Sequence, residues 1–295
     1  MKKITFADVA GRYRITHGKK FRLKDHDPAD TWKFRGKDGV AALLARGLER
    51  LAALQEKLYA QDQRAVLLIF QAMDAAGKDG TIKHVMSGVN PQGCQVTSFK
   101  APSATELDHD FLWRSACALP ERGRIGIFNR SYYEETLVVR VHPEILQTQR
   151  LPAKLVSKHI WRERFEDIAA FERHLARNGT VVRKFFLHLS KAEQKRRFLA
   201  RLKEPAKNWK FSTGDLKERA HWDEYQAAYE ETIAHTATDE APWHVIPADN
   251  KWFTRMAVMA AVIEALESLD LAFPKVAKAQ RAELEVARRV LEGEG

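Results

Sequence analysis

The stretch A-V-L-L-I-F-Q-A-M-D-A-A-G-K-D-G-T, Ala65 to Thr81, decides the fold. It begins with a short apolar run, Ala65 to Phe70, and Thr81 to Ser87 reads as a helix. Strand, glycine-bearing turn and helix in that order are the layout of a phosphate-binding loop. Gly77 and Gly80 let the backbone come close to a ligand and take φ values that a side chain would forbid. N–H groups at a helix start, with the positive end of its dipole, then face an anion. Lys78 adds a point charge where a phosphate would sit. Ala76, Gly77, Asp79, Gly80, Thr81 and Lys83 complete the set of candidate nucleotide- or polyphosphate-contacting residues here.

The usual loop has glycine, four residues, then Gly-Lys-Ser/Thr. Ala72 stands at the first glycine and Asp79 at the hydroxyl residue, and Asp74 lies inside the loop. A carboxylate beside a phosphate is repulsive unless a cation sits between them. The loop therefore implies Mg²⁺, with Mn²⁺ the alternative; Asp74 is the better ligand and Asp79 the weaker candidate. The bland reading is a strand-to-helix turn with a surface lysine.

The wider chain narrows the choice. Its 295 residues suit one large α/β domain or two small ones, and 45% hydrophobic residues support a substantial core. No run of about 18 apolar residues is present, so no membrane partner is expected. The start M-K-K-I-T-F-A-D has no apolar signal core, and Cys94 and Cys117 lack metal spacing. Both features point to a reducing cytoplasm, with the cysteines as buried small apolar residues. The formal net charge of +10 favours an anionic partner: nucleic acid, membrane surface or a polyphosphorylated ligand. Residues 191–219 hold ten Lys/Arg and four acids, a local excess of +6, although a charge run is usually a solvated face.

Residues 1–36 are polar and mixed and read as a surface arm at an oligomer contact. Apolar residues at helical spacing, Val40 to Leu58, predict an amphipathic helix over Lys37 to Ala60. Further strands are expected at Gln95–Phe99, Arg124–Phe128, Val181–Leu189 and Trp243–Pro247. Helices are expected at Ser103–Ala118, with Ser103 and Glu106 as a capping box, and from Asn129 onward. Others follow at Ala153–Arg177, from Ser190 with Glu193 as a second capping box, at Asp215–His235, Lys251–Leu269 and Lys275–Leu291. The alternation predicts a five-stranded parallel sheet with helices on both faces. The divisions are an arm (1–36), a core (37–189), a basic helical lid (190–235), and the end of the core with C-terminal helices (236–295). Ligands in such a sheet sit beyond the carboxyl ends of the strands, where the Asp74/Lys78 loop, Asn129-Arg130 and Ser190 converge.

Four motifs in order carry a resemblance: M-D-A-A-G-K-D-G-T-I-K, F-N-R-S-Y-Y-E, F-F-L-H-L-S-K-A-E-Q-K-R-R-F and W-K-F-S-T-G-D-L. Together they resemble the second family of polyphosphate kinases, over about Phe34 to Leu269. The resemblance implies a P-loop kinase fold with a helical lid, Mg²⁺ dependence, and a dimer or tetramer. It also implies phosphoryl exchange between inorganic polyphosphate and a nucleotide, running in either direction. Asp74 matches the family's metal ligand, Lys78 its phosphate-binding lysine and Arg130 the arginine of F-N-R. Arg197 and Arg201, less securely Arg196, match lid arginines, and Lys210 falls in the W-K motif. Asn129 stands where many members have a metal-binding aspartate. That is similar to the subgroup that phosphorylates AMP as well as ADP to give ATP; guanine nucleotides remain open.

Arg197 and Arg201, four apart, share a helix face and would clamp the transferring group, the bland alternative being surface salt bridges. Glu134 and Glu135 read as first-turn acids suited to the dipole, the alternative being a contact to the base or metal. His109 has no second histidine at ligand spacing. Trp209 is a candidate lid residue, and Tyr132 and Tyr133 candidate borders of the nucleotide. The competing functions are an ATP-dependent nucleotide or small-molecule kinase, and a non-catalytic nucleic-acid binder using the basic hairpin. No nucleic-acid partner is expected, because it would leave the Asp74 loop without a purpose.

Overall fold

A computed structural model describes residues 4–294. Residues 1–3 of the expected arm and 295 of the tail lie outside the described residues. In chain order the elements are α1 (Phe6–Tyr13), β1 (Arg14–Ile15), α2 (Asp38–Gln61), β2 (Ala65–Gln71), α3 (Lys78–Val85), β3 (Cys94–Ser98), α4 (Ala104–Leu107), α5 (Trp113–Cys117) and β4 (Ile125–Asn129). Next come α6 (Val138–Val141), α7 (Ile160–Arg177), β5 (Thr180–His188), α8 (Lys191–Lys203), α9 (Pro205–Asn208) and α10 (Thr213–Ala220). The chain closes with α11 (Trp222–Thr236), β6 (Trp243–Pro247), α12 (Lys251–Glu267) and α13 (Lys278–Glu292).

The strand order is β1-β6-β5-β2-β4-β3, with β3, β4, β2, β5 and β6 parallel. All seven residues of β2 are buried, which is why it reads as a continuous apolar run rather than an alternating one. Val66, Leu68 and Phe70 join the core under α1, α2, α3 and α12; Leu67 and Ile69 join the other core, under α6, α7 and α11. The chain moves from β2 to the edge strand β3, returns to β4 beside β2, and then crosses to β5 on the other side. The order thus reverses around β2, which is where open α/β sheets bind ligands. Gly47 lets α2 approach α12, since a Cβ there would meet Met259 Cε at 2.2 Å.

The sheet has six strands, not five. The sixth comes from the arm: Thr5 and Asp8 cap α1, and Arg14 and Ile15 then pair antiparallel with His244 and Trp243. Two residues are too few to show a period. Several expected helices are shorter. Ser103 and Glu106 do form their capping box, but Asp110 accepts from the Leu112 N–H at 2.9 Å and a new turn begins, splitting α4 from α5. Ser157 similarly accepts from the His159 N–H, and α7 starts at Ile160 rather than near Ala153. The stretch after Asn129 is a 3₁₀ turn, Tyr132–Thr136, leading into α6. His221 separates α10 from α11. Cys94 is half-buried and Cys117 exposed, both free. Among the described residues no helix is long and apolar enough to cross a membrane.

Candidate functional site

β2 delivers the loop Ala72–Gly77 to the carboxyl edge of the sheet, and α3 begins at Lys78. The register sets Phe70 beside Asn129, so the β4 end brings Asn129 and Arg130 alongside the loop. Arg130 has φ +65 and Ala75 φ +64, left-handed conformations that cost free energy in residues with a Cβ and cluster where chemistry is done. Gly77, at φ +100, is where the loop turns into α3.

Lys78 Nζ donates to Ala72 O at 2.7 Å, holding the lysine across the loop. Burial, then the neighbouring Arg130 charge, lower its pKa. Arg130 lies 3.5 Å from both Asp74 Oδ1 and Glu134 Oε2. The Glu134 carboxylate is the chief reason its pKa is raised, outweighing burial. Asn129 Nδ2 donates to Asp79 Oδ1 at 2.7 Å, tying β4 to the start of α3.

Two cavities meet over this loop. The larger, about 690 Å³, is lined by nine basic side chains and only three acidic ones. The bases include Lys78, Arg130, Arg201 and Lys210 together with Lys100, Lys207, Lys251 and Arg255; Ala76, Gly77, Asp79, Gly80, Thr81 and Asn129 are on its wall. The smaller, about 300 Å³, is acidic, aromatic and apolar: Glu134, Glu218, Tyr225, Tyr229, Met73, Leu137 and Val138 line it. Asp74, Arg130 and Asp215 line both. Asp215 comes from α10, and burial together with the Asp74 charge raises its pKa.

Against this geometry a profile of the polyphosphate kinase 2 family matches residues 35–274. The chain belongs to the polyphosphate kinase 2 family. It is similar to a Rhodopseudomonas palustris protein described as ADP-polyphosphate phosphotransferase, 52% identical over 282 residues that cover 92% of this chain and 98% of that one. It is also similar to a Meiothermus ruber protein described as AMP/ADP-polyphosphate phosphotransferase, 46% identical over 265 residues, covering 90% and 95%. The crystal structure of polyphosphate kinase 2 from Arthrobacter aurescens superposes with a TM-score of 0.85 at 42% identity, covering 95% of this chain and 96% of that one. The molecule is thus an enzyme of a phosphotransferase family with the P-loop kinase-like α/β fold.

Within this polyphosphate kinase 2 frame the sequence-derived residues sort by position. Asp74, Lys78, Asn129, Arg130, Arg201 and Lys210 converge on the cavities. Arg201 lies 3.6 Å from Asp215 and donates to Lys210 O at 3.4 Å. Lys83 is exposed on the far side of α3 and Arg196 is 75% exposed and paired with Glu193; neither lines a cavity. Arg197 lines the larger cavity, but its five donors are already engaged. Nε meets Glu193, Nη1 meets Ala75 O and Ala76 O, and Nη2 meets Ala248 O and Asp249 O, at 2.6–3.1 Å. Glu193 consequently does not close its capping box: Ser190 N donates instead to Asp249.

Tyr132 and Tyr133 border neither of these two cavities. Both are buried and both hydroxyls donate to Glu172 Oε1 at 2.8 Å. Glu134, read from sequence as a first-turn acid, lines the smaller cavity, and residues that sequence reasoning passed over are Asp215, Tyr225, Tyr229, Lys251 and Arg255. The last two had a signal: basic residues four apart in the first turns of the helix after β6, where a helix dipole gives no reason for cations.

Proposed function

We propose that this enzyme transfers one phosphoryl group from inorganic polyphosphate to ADP, and to AMP, giving ATP as the end product, with the reverse reaction available. The supporting observation is the pair of unlike cavities meeting at Asp74, Arg130 and Asp215. A long polyanion fits the basic cavity, where it meets a track of cations. A nucleoside fits the smaller one, between the Tyr225 and Tyr229 rings and the apolar wall of Met73, Leu137 and Val138. The two phosphate ends would then face each other across Arg130. The activities for which the Rhodopseudomonas and Meiothermus relatives are named, ADP-polyphosphate and AMP/ADP-polyphosphate phosphotransferase, support the donor and both acceptors.

The acceptor oxygen is already ionised near neutral pH, so the protein has little proton work to do. Catalysis is positioning and charge neutralisation. Lys78 would leave Ala72 O for a donor phosphate. Arg130, held between Asp74 and Glu134, would bridge donor and acceptor. The C-terminal end of α8 with α9 and α10 would act as the lid, carrying Arg201, Lys207 and Lys210 over the donor and excluding water, while the start of α8 and α11 stay packed on the loop and the core.

Among the described residues no three acidic, histidine or cysteine side chains gather as a metal site. That fits Mg²⁺, which binds through one or two carboxylates plus substrate phosphates rather than in a protein cage. Asp74, with Mn²⁺ as the substitute ion, would be the carboxylate; the ion neutralises charge developing on the phosphate oxygens. Because Asn129 is neutral and engaged with Asp79, Asp74 would carry more of the metal binding at the β2–β4 edge.

The test supplies polyphosphate and Mg²⁺ with AMP, ADP and GDP separately and quantifies the nucleotide products, with an arm containing ATP and no polyphosphate. ATP from ADP and ADP plus ATP from AMP are expected. Phosphoryl transfer from ATP to other acceptors, with no product in the polyphosphate arms, would replace this reading by an ATP-dependent kinase.

A further inference from the structure

Gln194 sits on α8, is 1% exposed and lines neither cavity. Its Nε2 donates to Asp74 O at 3.0 Å. Its Oε1 accepts from Arg219 Nη1 at 2.8 Å, and the same Arg219 group donates to Lys191 O. Arg219 is on α10, so it fixes which end of the amide faces the loop. Arg197, three residues along, takes the next two carbonyls, Ala75 O and Ala76 O. Three consecutive loop carbonyls are therefore turned toward one face of α8.

In a planar trans peptide the C=O and the following N–H point in opposite directions. Turning the carbonyls of residues 74–76 toward α8 turns the N–H groups of Ala75, Ala76 and Gly77 away from it. All three residues line the larger cavity. The Ala76 N–H closes a turn on Met73 O at 3.3 Å, while those of Ala75 and Gly77 have no backbone partner among the described residues. With Ala75 and Gly77 both left-handed, this is the alternation that makes a concave anion-binding nest. Left-handed Ala75 needs its surroundings to over-determine it.

We propose that Gln194 is a positioning residue that sets the Asp74–Ala75 peptide plane, with Arg219 holding its amide in register. It thereby aims the Ala75 N–H at the donor phosphates and fixes the backbone from which the Asp74 carboxylate would hold a cation against them. The inference rests on the phosphate-loop reading above.

The experiment compares the full chain with Gln194→Leu, Gln194→Glu, Arg219→Ala and Lys78→Ala. It reads tripolyphosphate affinity by calorimetry, amide hydrogen exchange over residues 74–81, and Tm. Gln194→Leu is expected to bind tripolyphosphate roughly tenfold more weakly, the effect of one lost buried hydrogen bond, with faster exchange in the loop and the remaining core protected. Arg219→Ala shows a smaller loss, and combining it with Gln194→Leu adds nothing further. Gln194→Glu is as weak as Gln194→Leu at neutral pH, because a carboxylate cannot donate to Asp74 O. Relative to wild type it recovers on acidification, when the protonated acid donates again. Loop exchange and affinity in Gln194→Leu within about twofold of wild type would overturn the assignment, as would a loss accompanied by equal deprotection of the whole core. If Lys78→Ala leaves tripolyphosphate binding unchanged, the phosphate reading of the loop fails, while loop exchange in Gln194→Leu still decides whether Gln194 sets the loop.

Discussion

Lys78 is the side chain on which the proposed phosphate contact turns. Its ammonium donates to Ala72 O, and burial with the nearby Arg130 lowers its pKa. The charged form is the one that neutralises phosphate. Activity that depends on it is therefore full below the lowered pKa and is lost as pH rises through it. The profile of kcat/KM, which reports the free enzyme, should fall on the alkaline side before the usual lysine range of about 10.4 is reached. The kcat limb should lie higher, since bound phosphates restore the charge. Lys78→Arg should remove the alkaline limb altogether, because guanidinium does not titrate there; a limb unchanged in that variant would assign it to another group. At this scale the sequence was most readable in the layout of the loop itself: Lys78 stands at the start of α3 just beyond the carboxyl end of β2, as the strand, turn and helix reading expected. Arg197 was legible only in part: it lines the larger cavity, as its place in the basic helix suggested. Its spacing from Arg201 suggested a clamp, and only its buried position reveals a guanidinium surrounded by Glu193 and four carbonyls.

Among the elements, the 3₁₀ turn after β4 depends on a charge buried beneath it. Lys184 on β5 and Glu172 on α7 are both essentially inaccessible and 2.5 Å apart. Lys184 also donates to Thr236 O and Tyr133 Oη, and Glu172 collects the two tyrosine hydroxyls. The turn carrying Glu134, and the Arg130 that precedes it, thus rests on a closed polar network between β5, α7 and α11. Removing one partner leaves an uncompensated buried charge, so Lys184→Met should cost about 3–5 kcal/mol in denaturant unfolding. Lys184→Met with Glu172→Leu should recover a large part of that loss, and equal destabilisation by the single and double variants would contradict the network. None of this was legible in sequence, because a lysine in a strand and a glutamate in a helix usually face solvent. Helix ends were lost for a related reason. Asp110 and Ser157 bond to nearby backbone N–H groups, and such local competition interrupts an apolar period that otherwise continues.

For the whole molecule, the sheet was legible because β2, β4, β5 and β6 are buried runs bounded by turns, while β1 was not, being two residues that need β6 to exist as a strand. The convergence of the loop, Asn129-Arg130 and the basic helix at one sheet edge followed from parallel topology. What the chain could not display was the division of that edge into a basic and an acidic-aromatic chamber. That division depends on α10 and α11 folding back so that Asp215, Glu218, Tyr225 and Tyr229 face the loop. The net charge of +10 thus has a local meaning, since nine of the cations surround one cavity. The central claim is that a single phosphoryl group passes between two anions over Asp74, Lys78 and Arg130. Its most direct test is transfer of label from ³²P-polyphosphate to ADP by the wild-type chain, Lys78→Ala and Asp74→Asn, each checked for an unchanged Tm. The account predicts labelled ATP from the wild type and a loss of about 10²–10³-fold in each variant. Labelled ATP formed at wild-type rate by either variant would contradict it.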